Sequence, residues 1–180
     1  MATHKSLENK LRKYAETFNT YSTPQSRMEI QQHLLDEEFL VVFTDKIQSL
    51  WAKSWYRTSS AGKEMDRGGI YGYIEDFYRS VQGKEKKLTI IEYVPRGRGY
   101  VKPQAVVTFQ IDIDGKQRKE KFLILWKDGK IFEAHQLAST TETEEKKDIK
   151  RALLKSVGNA MKRNVEPKTN WEAWRQTFGH

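Results

Sequence analysis

Apolar residues recur at every third or fourth position from Ser6 to Phe18, so that Leu7, Leu11, Tyr14, Ala15 and Phe18 share one face and predict a helix. The polar run Asn19 to Thr23 ends it. Thr23 before Pro24 is an N-cap and first-turn pair, which predicts a second helix running to about Leu35 with Met28, Ile30, Leu34 and Leu35 as its buried stripe. Phe39 to Phe43 is a short apolar run between charged residues and reads as a strand entering the core. The stretch Ile47 to Tyr56 fits two elements: Ile47, Leu50, Trp51 and Trp55 have helical spacing, while Trp55 to Thr58 suits a strand. Ser59 to Gly69 is small and polar and predicts a loop. Gly69 to Val81 restores the helical period, with Ile70, Ile74, Phe77 and Val81 as its packing face.

Beyond Gly83 the period changes to two. Strands are expected over Leu88 to Val94, Val101 to Ile113, Lys119 to Trp126 and Ile131 to Leu137. Asp114-Gly115 and Asp128-Gly129 join the last three, and Asp-Gly between alternating apolar runs is a strong hairpin signal, because such turns need positive φ. Glu142 to Arg163 is a final amphipathic helix, with Ile149, Leu153, Val157 and Met161 on one side and lysines and arginines around the other; Trp171, Trp174 and Phe178 follow. The fold class expected is α+β: a curved antiparallel sheet from about Leu88 to Leu137 wrapped around the N-terminal helices. Residues 1–140 would form that domain, and 141–180 a basic helix and aromatic tail packed on it.

Composition narrows the setting. At 180 residues the chain can bury one core, and 37% hydrophobic with 12% aromatic residues is enough to pack it. Cysteine is absent, so disulfides, zinc-thiolate sites and a thiol nucleophile are excluded. The polar N-terminus and the lack of any long apolar span argue for a cytoplasmic protein with no membrane partner. A net charge of +8 favours polyanions through its surface field, and equally suits a lysine-rich solvated surface. The four histidines, His4, His33, His135 and His180, are too far apart to offer a metal-ligand pair, and no glycine-rich phosphate loop follows a strand. No cofactor is expected.

The residues Tyr14 to Thr20, His33 to Phe39, the Gly69 to Val81 helix and Lys127-Asp128-Gly129-Lys130-Ile131, in that order, resemble the nuclear transport factor two-like superfamily, which includes the SnoaL-like polyketide cyclases and ketosteroid isomerases. The similarity covers about Leu7 to Ser139. It implies a cystatin-like cone enclosing an apolar pocket for a hydrophobic small molecule, and a homodimer built on the outer sheet face. Several enzymes of the superfamily carry an essential carboxylate near the position of Ser139, so the resemblance speaks against a hydrolase here. A second, shorter resemblance links Asp148 to Met161 with the basic helix of Rad-type and phage single-strand-annealing proteins, although an ordinary packed helix with a solvated basic face has the same pattern.

If Ile131 points inward, strict alternation carries Glu133, His135, Leu137 and Ser139 inward with it. Glu133 and His135 are then the candidate catalytic pair, an acid and an imidazole able to exchange protons in an apolar pocket. The plainer reading puts Glu133 at a sheet rim and makes His135 a hydrogen-bonded core residue. Tyr14, Phe18, Trp51, Tyr73, Phe109 and Trp126 are candidate ligand-binding aromatics, with Tyr14 or Tyr73 orienting the substrate. The function expected is cofactor-free acid-base chemistry of the isomerase, cyclase or dehydratase kind. Two alternatives stand beside it. One is a single-stranded nucleic-acid-binding module using Arg96, Arg98, Lys102, Lys150, Arg151 and Lys155. The other is a dimerisation scaffold without catalysis.

Overall fold

The structure, a computed structural model, describes residues 3–20, 23–43, 64–96, 103–137 and 141–159. The segment Ile47 to Tyr56, Trp51 within it, Arg98, Lys102, Ser139, the last turn expected of the C-terminal helix and the aromatic tail lie outside these residues. The chain divides into two compact units, Met1–Ala138 and Ser139–His180.

In the first unit, α1 (His4–Thr20) buries Leu7, Leu11, Ala15 and Phe18, the apolar face set by their spacing. α2 (Pro24–Leu34) begins where Thr23 accepts the Ser26 N–H at 3.2 Å and Pro24 occupies the first turn. Its buried stripe differs from the expected one: Arg27, Gln31 and Leu34 are buried, whereas Met28 is 45% exposed. The reason is a charge partner on a later helix. Arg27 forks onto Glu75, Nε to Oε2 at 2.7 Å and Nη2 to Oε1 at 2.5 Å, with its guanidinium 3.9 Å from the centre of the Tyr78 ring. An arginine so paired can be buried more favourably than an unbranched thioether that finds no hole to fill.

Strand β1 (Leu35–Val42) follows without a loop, then β2 (Glu64–Asp66), which lies within the stretch expected to be loop as far as Gly69. Asp66 caps α3 (Arg67–Ser80), its Oδ1 accepting the Gly69 N–H at 2.8 Å. α3 buries Phe77 and packs Ile70, Ile74 and Tyr78 against the same core. The meander is β3 (Lys86–Arg96), β4 (Gln104–Ile113), β5 (Lys116–Lys127) and β6 (Lys130–Leu137). Both Asp-Gly pairs are left-handed, Asp114 and Gly115 at φ 48° and 82°, Asp128 and Gly129 at 51° and 77°, as two-residue hairpins require.

The strand order is β2-β1-β6-β5-β4-β3. The four meander strands are antiparallel, as expected, but β1 joins β6 in parallel, which makes the sheet mixed. Register shifts interrupt three ladders: at Ile91 in β3, at Phe132 in β6, and between Leu35 and Leu40 in β1. Each extra residue bends its strand, and together they curve the sheet. α1 is tied to this sheet by side chains: Arg12 donates to the Ile90 carbonyl at 2.7 Å, and Lys10 to that of Gly129. Asn19 both accepts the Leu88 N–H at 2.8 Å and donates to the Leu88 carbonyl at 3.1 Å. β3 is outermost, with Ile91 and Val94 each 41% exposed.

The second unit contains α4 (residues 142–159), whose Ile149, Ala152 and Asn159 are buried while Leu154 and Val157 are 65% and 59% exposed. The spacing places Val157 on the packing side with Ile149, and the structure does not. At 100° per residue Val157 lies some 80° round from Ile149, past Leu153, and falls on the solvent arc.

Candidate functional site

Alternation along β5 puts Arg118, Glu120, Phe122, Ile124 and Trp126 in one phase, and along β4 puts Val107, Phe109 and Ile111 in phase with them. With the inner faces of α1, α2, β1 and α3 these strands enclose a cavity of about 190 Å³. Among the described residues that line it, Glu120 alone is charged; the others are aliphatic or aromatic. An engineered apolar cavity of about 150 Å³ takes up benzene, so the volume suits a ligand somewhat larger than benzene.

Of the aromatics singled out in the sequence, Tyr14, Phe18, Tyr73 and Phe109 line this cavity. Trp126 does not: it is 1% exposed, packed into the wall of the core rather than its hollow. Burial raises the Tyr14 phenol well above its ordinary range, so it stays protonated, and its hydroxyl can donate a hydrogen bond as well as accept one. Phe43 and Phe122, not foreseen, complete the aromatic side. Ring centres step from Tyr73 to Phe43 at 6.0 Å, to Phe122 at 6.3 Å and to Phe109 at 5.8 Å, the last two contacts edge-to-face.

Glu133 and His135 lie elsewhere. Their side chains meet, Nε2 to Oε1 at 2.9 Å, and are 0% and 3% exposed, but neither lines the cavity. The cause is an extra residue in β6: Trp126 pairs with Ile131 and Leu125 with Glu133, so Phe132 is inserted between them. The phase of β6 reverses there. Ile131 and Ala134 face the cavity, and Glu133 and His135 share the opposite face with their cross-strand partners Leu125 and Leu123. The expectation that they project into the pocket with Ile131 is corrected accordingly, and so is the placement of Glu133 at a rim.

Among the described residues of the cavity the one carboxyl is that of Glu120, which sequence reasoning missed. Its Oε1 accepts from Arg118 Nε at 3.0 Å, and its side chain is 17% exposed. Desolvation raises its pKa above the ordinary carboxyl value, with the Arg118 charge and hydrogen bond offsetting only part of the rise. No described residue bonds its second oxygen, Oε2. The signal was present in the sequence: counting back in twos from Phe122 reaches Glu120 and Arg118, which sit in a run of basic residues that reads as a solvated hairpin.

Of the expected nucleic-acid contacts within the described residues, Lys150, Arg151 and Lys155 are exposed on α4, and Arg96 is half-buried at the end of β3. Among the described residues no cluster of His, Asp and Glu is arranged to hold a metal ion, and no helix is long and apolar enough to cross a membrane.

No family model and no curated protein matches the sequence. Solved structures that overlap the chain include SnoaL-like and NTF2-like proteins. A SnoaL-like family protein from Agrobacterium tumefaciens overlaps at TM-score 0.49 and 13% identity, over 76% of this chain and 97% of that one. A de novo designed NTF2 fold protein overlaps at 0.49 and 12%, over 83% and 95%. An NTF2-like protein of unknown function from Cytophaga hutchinsonii overlaps at 0.42 and 14%, over 76% and 89%. At these scores and identities the reading of the site rests on its own geometry.

Proposed function

We propose that this chain binds a hydrophobic small molecule in the cavity between α1, α3 and the sheet, and exchanges a proton with it through Glu120. The observation that carries the reading is a single carboxyl, raised in pKa and with one oxygen open, set in an otherwise apolar hollow. A carboxyl tuned upward by desolvation works as acid and base closer to neutral pH, which is the requirement for cofactor-free isomerisation, cyclisation or dehydration. The proton-transfer role anticipated for Glu133 and His135 thus passes to a residue on β5, while Tyr14 and Tyr73 remain the hydroxyl-bearing residues able to orient a ligand.

The cavity is tested by filling it. Ala134 lies on its wall and has the smallest side chain there. The wild-type chain should bind a small neutral apolar probe such as toluene saturably, read by NMR shift changes, and Ala134→Phe should weaken that binding at least tenfold, roughly the effect of displacing a ligand that gains its affinity by burial. Circular dichroism of the variant checks that the fold survives. A wild-type chain that shows no saturable toluene binding sinks the proposal.

A further inference from the structure

The polar group that a ligand presents to Glu120 can be read from what surrounds the carboxyl. Phe109 is the cross-strand partner of Glu120, and Phe122 lies two residues along on the same face. The rings of Phe43 and Tyr73 continue from Phe122, so one side of the hollow is a run of π-systems ending at the carboxyl. Ring faces carry negative potential and attract cations, most strongly where water is excluded. We infer that the ligand carries a basic nitrogen, held as an ammonium between the Glu120 carboxylate and these rings. This rests on the cavity being a binding site.

Three other ligand chemistries fit less well. A pure hydrocarbon would complete the desolvation of Glu120 and give its open oxygen no partner, a cost that grows as the cavity fills. An anion would face a carboxylate and ring faces of the same sign. A neutral carbonyl compound would find a donor in Glu120 only while that residue is protonated, so its binding would weaken as pH rises. An ammonium supplies what is lacking: Arg118 reaches Glu120 through one hydrogen bond to Oε1, and burial still disfavours the ionised form, so a second cation at Oε2 would stabilise it. A free amine entering beside protonated Glu120 takes the carboxyl proton onto nitrogen, leaving a carboxylate-ammonium pair with no other reactant consumed.

The test uses two ligands of nearly equal shape, phenyltrimethylammonium and tert-butylbenzene, titrated into the full-length chain by calorimetry or by NMR shift changes. At pH 8 the ammonium should bind about tenfold more tightly, the ratio expected of a cation-π and carboxylate site relative to its carbon isostere. Its affinity should fall as pH is lowered through the Glu120 titration, and Glu120→Gln should bring the ratio of the two affinities toward one. Equal binding, tighter binding of tert-butylbenzene, or an unchanged ratio in Glu120→Gln overturns the inference of a nitrogen and leaves the apolar cavity standing. Failure of both ligands to bind removes the cavity reading itself. The pH series needs only the wild-type chain, so a Glu120→Gln variant that folds poorly leaves the inference still open to refutation: ammonium affinity that stays constant as pH falls overturns it.

Discussion

Two acidic side chains show how differently one residue type behaves when its surroundings change. Glu120 keeps its proton to higher pH in the native chain than in the unfolded one, where its ordinary value is 4.5. Between those two values the native state binds more protons, so native stability falls as pH rises through that window and stays lower above it. In urea denaturation over a pH series, Glu120→Gln should lack this decline; a wild-type chain that instead gains stability there relative to the variant would mean that Arg118 outweighs desolvation. Glu133 is wholly buried and holds the His135 ring at 2.9 Å. His135→Ala deprives that carboxyl of its imidazole, and should destabilise the fold by about 3 kcal/mol or more, read from the urea midpoint. If His135→Ala unfolds at the wild-type midpoint, the pair is not part of the core's support.

At the scale of elements, the helices and hairpins follow from short-range rules and the exceptions follow from partners distant in sequence. The face of α1, the Thr23-Pro24 start of α2 and both Asp-Gly turns could be read from spacing and turn chemistry alone. The buried face of α2 could not, because no hydrophobicity scale counts an arginine such as Arg27 as apolar; it becomes a core residue only once α3 brings Glu75 to it. Arg27→Met should therefore cost about 2–3 kcal/mol, since it leaves Glu75 facing a partly buried gap, and adding Glu75→Leu should recover much of the loss. Denaturation of the two single variants and the double variant measures this; additive losses would show that the pair is not coupled. The phase of β6 was equally hidden. One residue, Phe132, decides which of its neighbours meets the cavity, and nothing in Ile131 to Leu137 marks it as the extra residue of a bulge. Glu120 was the legible member that went unread, since its phase follows from Phe122 and Ile124 without any interruption.

Over the whole first unit, the mixed sheet arises because β1 enters between β6 and β2, parallel to one and antiparallel to the other. A run of five apolar residues predicts a strand but not its neighbour, so the parallel pairing had no local signature. The hollow depends on this arrangement: β1 and the residue after it contribute Phe39, Val41 and Phe43 to a wall that the meander alone would leave open. Small differences in one strand's partner thus decide whether the concave face is filled or vacant.

The paired hydrogen bonds from Asn19 to Leu88 have a consequence beyond fastening a helix. β3 ends the sheet, and its unpaired backbone would be a template on which another chain could add a strand, all the more so with Ile91 and Val94 open to solvent. The Asn19 amide fills the donor and acceptor of Leu88 as a neighbouring strand would, and Arg12 takes the carbonyl of Ile90. Asn19→Ala should therefore loosen more than α1: sedimentation velocity should reveal concentration-dependent association into larger species beyond any shown by the wild-type chain. A variant that sediments like wild type would show that the remaining contacts of α1 shield the edge unaided. What looks like an anchor then doubles as a seal against fibrillar growth.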